Sequence, residues 1–378
     1  MGESSAAYPQ AEAVIDLDAY RSNLRAMADL APHSALMAVV KANAYGHGMI
    51  ECARAAREAG AAWLGVTTVD EALALRAAGD TGPILSWLNA PGADYSAAAE
   101  AGIEVTASSA EQLREISSAS GARRPRVQLK VDTGLSRNGA RGEQWAELID
   151  ATAEAQSKAR LDFTGTWSHF ACADQPDHPA NDAQEAVFEE AVSAVRAAGL
   201  DPGLRHLANS AAVLTRPQAH LDIIRVGIAG YGLPPSATMP VDIHLKPVMT
   251  LRGRLAAVKR VPEGSGVSYD WTYVTTGETT LGLVPLGYGE GIPRRGSGRL
   301  QAAHAGSRVD IVGTVAMDQV VIELGDATAS RGDLVTLFGP GHDGEPSAVD
   351  WARAADTISY EIVTRIGGRV RRTFRGVE

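Results

Sequence analysis

The feature that most constrains this chain is a rhythm. From Ala35 to about Gly227, short β-like runs alternate with helical patterns. The runs are Leu36–Val40, Trp63–Val66, Pro83–Trp87, Ile103–Ala107, Val127–Val131, Asp162–Ser168, Leu204–Leu207 and Ile223–Val226, a count of eight. Between most of them lie Ala-, Glu- and Arg-rich stretches, among them Glu51–Ala59, Asp70–Ala78, Ser109–Ile116 and Ala183–Ala198. Their apolar residues recur at helical spacing. Strand then helix, eight times over, predicts an α/β fold of the (β/α)8 TIM-type barrel kind. A doubly wound parallel sheet is the alternative, because periodicity does not reveal strand order. Both folds use right-handed crossovers.

After Pro234-Pro235 the texture changes. Val248–Val261, Thr279–Pro285, Val309–Val315, Val320–Leu324 and Leu334–Phe338 alternate and are β-branched, with Gly and Pro between them. Only the short Ala348–Thr357 segment reads as helical. The expected organisation is a flexible N-terminus over 1–12, a barrel over 13–240 and a mostly-β domain over 241–378. The run Ala13–Leu17 precedes the first barrel helix, for which Asp18 is the expected N-cap. That run is a candidate stray strand for the C-terminal domain.

A length of 378 residues exceeds the usual size of one core, which agrees with two domains. The formal net charge of −10 repels phosphate backbones and argues against nucleic acid as a partner. No apolar stretch approaches the roughly 20 residues of a membrane helix. The first residues lack the basic-then-apolar pattern of a secretory signal. Cys52 and Cys172 are the two cysteines; they make no disulfide framework and have no metal-ligand spacing. A cytoplasmic protein without a bound metal is expected.

Ala38-Val39-Val40-Lys41-Ala42-Asn43-Ala44-Tyr45-Gly46-His47-Gly48 follows the first barrel run. Lys41 therefore sits at the C-terminal end of a strand, where barrel enzymes place catalytic groups. Burial beside an apolar strand favours the neutral amine, the form that makes a Schiff base. On position alone an ordinary solvated lysine at a strand end is the better reading. His206-Leu207-Ala208-Asn209-Ser210 closes the seventh run with a hydroxyl at a helix start, either an N-cap or a phosphate ligand. Ile224-Arg225-Val226-Gly227-Ile228 closes the eighth, and loops after strands seven and eight form the usual phosphate site of this barrel. Arg225 without its neighbouring glycines reads better as a structural ion-pair partner. Lys130-Val131-Asp132-Thr133-Gly134-Leu135-Ser136-Arg137 closes the fifth run, and Arg137 can fork onto a carboxylate.

The lysine segment resembles the cofactor-lysine signature of alanine racemases, nearly unbroken over these residues, and the likeness continues over essentially the whole chain. The resemblance implies a pyridoxal 5′-phosphate enzyme that interconverts L- and D-alanine for peptidoglycan. It also implies a homodimer with shared active sites, each β domain serving its partner. Lys41 then carries the cofactor and is one catalytic base. Ser210, Gly227 and Ile228 through their backbone, Tyr45 and Tyr360 hold the phosphate. The resemblance sets Arg225 against the pyridine nitrogen; an arginine does not hand over its proton, so the ring stays a weaker electron sink.

Gly266-Val267-Ser268-Tyr269 resembles the family segment that supplies the second base, which makes Tyr269 the base on the opposite face. A phenol ordinarily titrates near about 10, so neighbours must help it. The resemblance links Tyr269 to Arg225 through His169, and His206 extends that network. Arg137 and the backbone of Met317 bind the substrate carboxylate. Lys130 is either carbamylated, orienting Arg137, or a plain ion-pair residue. Tyr288 lines the mouth of the site. Two positions depart from the family pattern: Ala316 stands where cysteine is common, and Glu290 where an aspartate is more usual. The competing readings are a broader-specificity or serine racemase, and a barrel-type pyridoxal-phosphate decarboxylase. The latter is expected to set an acid, not Arg225, on the ring nitrogen. A carrier of the cofactor without enzymatic activity is expected to lack the β domain.

Overall fold

The computed structural model describes residues 9–239 and 242–377. The barrel is an eight-stranded parallel sheet. After β1 (Ala11–Asp16), its strands are β2 (Ala35–Val39), β3 (Trp63–Val66), β4 (Ile84–Ser86), β5 (Glu104–Ala107), β6 (Arg126–Lys130), β7 (Asp162–Trp167), β8 (Leu204–His206) and β9 (Ile223–Val226). The order runs β8 to β2 and then β9, so each strand lies beside its sequence neighbour and β9 returns to β2. The seam between β8 and β9 is closed by Asp222 N–H to Arg205 O and Arg225 N–H to Ala208 O, both 3.0 Å. Strand order therefore selects the barrel over the doubly wound sheet. Every one of the eight runs overlaps a barrel strand.

Period-2 alternation then decides what each barrel strand shows to the inside. Outward residues such as Leu64, Val105, Val127, Leu129 and Ile224 join the main core beneath the helices. Inward, Met37, Trp63, Leu85 and Ile223 make a separate apolar plug. Two residues further along β9 and β6, the same face carries Arg225 and Lys130. Polar residues share this interior with the plug, Glu104 pairing in register with Leu85 and Arg225 with Met37.

The second sheet has nine strands. They are β1 together with β10 (Met249–Arg254), β11 (Ala257–Val261), and later members of the chain. After the short pair β12 (Gly266–Val267) and β13 (Tyr273–Val274) come β14 (Thr279–Val284), β15 (Gln301–His304), β16 (Ser307–Val312), β17 (Val320–Gly325), β18 (Leu334–Phe338) and β19 (Arg371–Arg375). β1 runs antiparallel to β10 and parallel to β19, so the start of the described chain is knitted into the sheet built by its end. Asn23, almost fully buried, staples the junction. It donates to Gly230 O and Lys246 O and accepts from Lys246 N–H.

Several expectations need correction. Ala11 and Glu12 were expected within a flexible terminus, yet they are buried strand residues; residues 1–8 lie outside the described residues. The first helix is Leu17–Asp29 and its N-cap is Asp16, not Asp18. Asp16 keeps the extended backbone of β1 and its Oδ1 accepts from Ala19 N–H at 2.8 Å. Asp18 lies in the first turn and pairs with Arg21 instead. Val248–Val261 is two strands. Leu255 bonds to Asp333 and Ala256 to Leu283, which moves the chain from the β18 side to the β14 side. The single expected C-terminal helix is two, Ala348–Ala354 and Ser359–Thr364, the second of which carries Tyr360.

Candidate active site

β2 ends beside Val40, and Lys41 opens an unusual turn. Ala42, Asn43, Ala44 and Tyr45 all have φ between 51 and 54°. For L-residues this left-handed region costs about 1–2 kcal/mol per residue, so four in a row must be held from outside. Glu71 Oε1 accepts from Ala42 N–H at 2.7 Å, and Ala44 N–H reaches back to Val40 O at 2.8 Å. His47, fully buried, sets Nδ1 against Ala44 O and Tyr45 O at 2.9 and 3.0 Å, and its ring stacks on Tyr231. Gly46 ends the turn at φ 84°, and a Cβ there would meet Val363 O at 2.4 Å. The turn aims Lys41 over the strand ends, with Nζ 5.8 Å from the Trp87 ring and 6.0 Å from the Tyr45 ring.

Lys41 does not stand among anions. Burial lowers the pKa of its amine, and Arg137 and then Arg225 add to this while Glu71 opposes it. Lys130, on the inner face of β6, sits 4.4 Å over Trp167. Burial, followed by Arg225, Arg137 and Lys41, pulls its amine down to about 7. Arg137 is carried by the loop after β6. Asp132 Oδ1 shapes that loop by accepting from Gly134 and Ser136 N–H, both at 3.0 Å. Four cationic side chains thus converge on one end of a barrel whose whole chain is acidic.

Arg225 is buried on β9 and no carboxylate touches it. Nη1 donates to His206 Nδ1 at 3.0 Å; Nη2 meets Ser168 O, Leu207 O and His169 Nδ1 at 2.8, 3.0 and 3.2 Å. Its guanidinium lies 5.0 Å from the Trp167 ring, on which His206 also stacks. Burial pulls Arg225 down to about 9, which leaves it charged at neutral pH. Burial and the surrounding cations push His169 and His206 well below the usual histidine range, so both rings are neutral. Nε–H of Arg225 makes no hydrogen bond among the described residues.

The neighbouring loop forms a small cradle. Ser210 is the first residue of the helix Ser210–Thr215, but Asn209 caps that helix, which frees the Ser210 hydroxyl from capping. Ser210 Oγ accepts from Gly227 N–H at 2.9 Å. The Ile228 amide has no hydrogen-bond partner among the described residues. A Cβ on Gly227 would lie 2.6 Å from the Tyr45 hydroxyl, so only glycine leaves the space open. The Tyr45 and Tyr360 rings stand 6.1 Å apart. Burial pushes both phenols up and keeps them protonated donors, with Tyr360 adding to the shift of Tyr45 and Asp174 to that of Tyr360. An unpaired amide, a hydroxyl whose hydrogen is not donated to any described residue, and two phenols around a glycine-lined hollow fit a phosphate. The unpaired Arg225 Nε–H beyond it fits an aromatic nitrogen that accepts.

Lys41, Tyr45, Lys130, Arg137, His169, His206, Ser210, Arg225, Gly227, Ile228 and Tyr360 are therefore gathered at one barrel mouth. Tyr269, Tyr288 and Met317 are not. They sit on the β domain with 67, 39 and 55% of their surface exposed. Tyr269 O accepts from Thr314, while Tyr288 and Gly289 N–H bond to Ala316 O and Met317 O, all inside that domain. Ser268, Asp270 and Trp271 around Tyr269 hold φ of 62, 61 and 46°, a strained segment of the sort found at functional sites. Three further residues shape the site without belonging to any motif: Trp167, Gln128 and Glu104. Their signal is a polar or aromatic side chain on the inner face of a barrel strand, as in the alternation Arg126-Val127-Gln128-Leu129-Lys130.

Comparison with known proteins gives a consistent result. Residues 15–235 match the family described as alanine racemase, N-terminal domain, and residues 248–374 match alanine racemase, C-terminal domain. An alanine racemase of Thermobifida fusca is 51% identical over 368 residues, covering 97% of this chain and 98% of that protein. Alanine racemase from D-cycloserine-producing Streptomyces lavendulae superposes with a TM-score of 0.96 at 51% identity, covering 98% of each chain. That of Bacillus anthracis, solved with bound L-Ala-P, gives 0.91 at 36% identity, covering 97% of this chain and 95% of that one.

Closing the cradle is a direct test of it. Gly227→Val is expected to weaken binding of inorganic phosphate to the cofactor-free protein at least about tenfold, as loss of hydrogen bonds to an anion implies. Titration calorimetry measures it, with the unfolding midpoint as a check that the barrel is intact. Unchanged phosphate affinity contradicts the cradle.

Proposed function

The chain belongs to the alanine racemase family, and from that membership we propose a two-base reaction that depends on pyridoxal 5′-phosphate, with Lys41 and Tyr269 as the bases. Its activity is the interconversion of L- and D-alanine, an isomerisation. The observation that carries the finer reading is the pairing of a Lys41 amine of lowered pKa with Arg225, a guanidinium that has an unused Nε–H.

Pyridoxal phosphate, when bound, supplies the electron-withdrawing ring that makes the α-proton of alanine acidic. Ser210 Oγ, the amides of Gly227 and Ile228, and the hydroxyls of Tyr45 and Tyr360 hold its phosphate. Arg225 Nε–H would face the ring nitrogen of the bound cofactor without giving up its proton, which would restrain the electron sink and disfavour misplaced protonation. Lys41 Nζ is the attachment point. When not tied to the cofactor, its neutral amine would take or return the proton on one face of the substrate α-carbon. Its lowered pKa supports this role, because a base must be neutral to accept. Tyr269 Oη serves the other face, and the bare imidazole chain from His169 to Arg225 supports its deprotonation. Arg137 and the Met317 amide clamp the substrate carboxylate, Tyr288 narrows the mouth, and His206 steadies Arg225.

Tyr269, Tyr288 and Met317 stand on an exposed face, and we assign that face to a second copy, so that each β domain completes its partner's site. Trp271 and Val274, 69 and 45% exposed beside Tyr269, support this assignment. The ligand is a small amino acid, and D-alanine made here feeds peptidoglycan in the cytoplasm; two unpaired thiols suit that compartment. No helix among the described residues is long and apolar enough to cross a membrane. Lys130 is assigned as a carbamate that orients Arg137, since an amine near 7 is substantially neutral at physiological pH and can add carbon dioxide.

Lys41→Ala is expected to abolish racemisation and the absorbance of lysine-bound cofactor near neutral pH. Retention of both contradicts the assignment. For Tyr269→Phe, exchange of the α-proton with solvent should fall by at least about a hundredfold from L-alanine, the size of a lost general base, and far less from D-alanine; equal losses refute the two-face division. Carbon-13 bicarbonate should give a carbamate resonance that Lys130→Ala removes and that grows as pH rises through about 7. Its absence in the native enzyme leaves Lys130 a plain cation.

A further inference from the structure

Arg225 is a buried cation whose partners are all neutral. The nearest anion in its network stands at the end of a chain of side chains inside the barrel. His206 Nδ1 accepts from Arg225 Nη1 at 3.0 Å. On the far side of the ring, Nε2 lies 2.6 Å from Gln128 Oε1. Gln128 Nε2 donates to Glu104 Oε2 at 2.9 Å. Glu104 also accepts from Thr164 Oγ1 at 2.7 Å and from Arg126 Nε at 2.8 Å. His206 and Gln128 are fully buried and Glu104 is 3% exposed.

The chemistry of the two ends fixes every hydrogen between them. A guanidinium only donates and a carboxylate only accepts. Gln128 must therefore turn its NH2 toward Glu104 and its oxygen toward His206. The ring must carry its hydrogen on Nε2 and leave Nδ1 bare. Were the Gln128 amide reversed, His206 would be bare at Nε2 and protonated at Nδ1. An N–H would then oppose the Arg225 N–H, and the guanidinium would have to turn away. Arg225 alone favours the right tautomer, but only Glu104 forbids the amide flip that competes with it.

We infer that Glu104 is a positioning residue for the reaction, acting through Gln128 on the His206 tautomer and so on the direction in which Arg225 points. The inference rests on the reading that sets Arg225 Nε against the ring nitrogen. Glu104 touches neither substrate nor cofactor. It supplies the fixed polarity that a pair of neutral relays cannot supply by themselves.

The experiment uses holoenzyme labelled with nitrogen-15 histidine, with the His206 signals assigned by comparison with His206→Asn. In the native protein at neutral pH, Nε2 should be protonated and Nδ1 bare. Glu104→Met keeps the length of the side chain and removes the acceptor, and Glu104→Gln keeps its shape while letting an NH2 face Gln128, which permits the amide flip. Both variants should show a mixture of tautomers, with kcat lower by roughly ten- to a hundredfold, the effect of one hydrogen bond on a charged group, and KM within about threefold. Should Glu104→Met not fold, Glu104→Gln decides alone. The inference is overturned by an unchanged tautomer in the folded variants. It is equally overturned by a shifted tautomer with kcat within twofold of native. Failure of the underlying Arg225 reading is seen separately, as native turnover in Arg225→Lys.

Discussion

Everything at this barrel mouth depends on one buried guanidinium without a counter-ion. A charge taken out of water is expensive unless it is paired or fully hydrogen-bonded. Arg225 meets that demand with two carbonyls and two imidazole nitrogens. Because the acceptors are neutral, its positive charge is not cancelled locally. It lowers the pKa of Lys130, His169 and His206 and contributes to that of Lys41. Burial first, then Arg137 and this unspent charge, leaves a lysine ready to be neutral, and the same charge makes the pocket attract anions. A carboxylate placed beside Arg225 would weaken both.

The second constraint is backbone strain. The left-handed run Ala42–Tyr45 delivers Lys41 and the Tyr45 hydroxyl to one place from adjacent positions in the chain, which neither a right-handed helix nor a strand would do. Its cost is met by groups outside the run: Glu71, His47 and the close approach of Val363 to Gly46. The helix that supplies Val363 also carries Tyr360, so the chain's last helix both braces the turn and contributes a phenol to the cradle. This is why the C-terminal segment, remote in sequence, belongs to the site.

The β domain brings a complementary surface. β1 enters its sheet between β10 and β19, which fixes the domain to the first barrel helix with no linker of its own. On the surface so held, Tyr269, Tyr288 and Met317 are exposed, and Arg369 ties Glu290 to Asp318 beneath them, bridging the loops that carry Tyr288 and Met317. Glu290 also accepts from Gly287 N–H at 2.9 Å, so the longer acid at this position still fits the loop. Ala316 contributes its carbonyl to the same loop pair, a role for which its side chain is irrelevant.

The sequence by itself determined the eight barrel strands, because parallel strands covered by helices must be apolar on their outer faces and their runs stand out. It also determined where Lys41, Arg137, Ser210 and Arg225 lie, since a residue at a strand's C-terminal end is carried to the barrel mouth whatever the strand order. Strand order itself was not legible, nor were Gln301–His304 and Arg371–Arg375 as strands, because neither run has the β-branched alternation that marks the others. Asp16 and Asp18 were indistinguishable as caps until the extended backbone of β1 was seen to end at Asp16. Tertiary structure alone decided the left-handed turn, whose residues have ordinary helical propensities and are held by Glu71 and His47. It alone decided the inward chain from Arg225 to Glu104, since hydrogen bonds between four strands depend on register across the barrel, and register is a property of the closed sheet and not of any one segment.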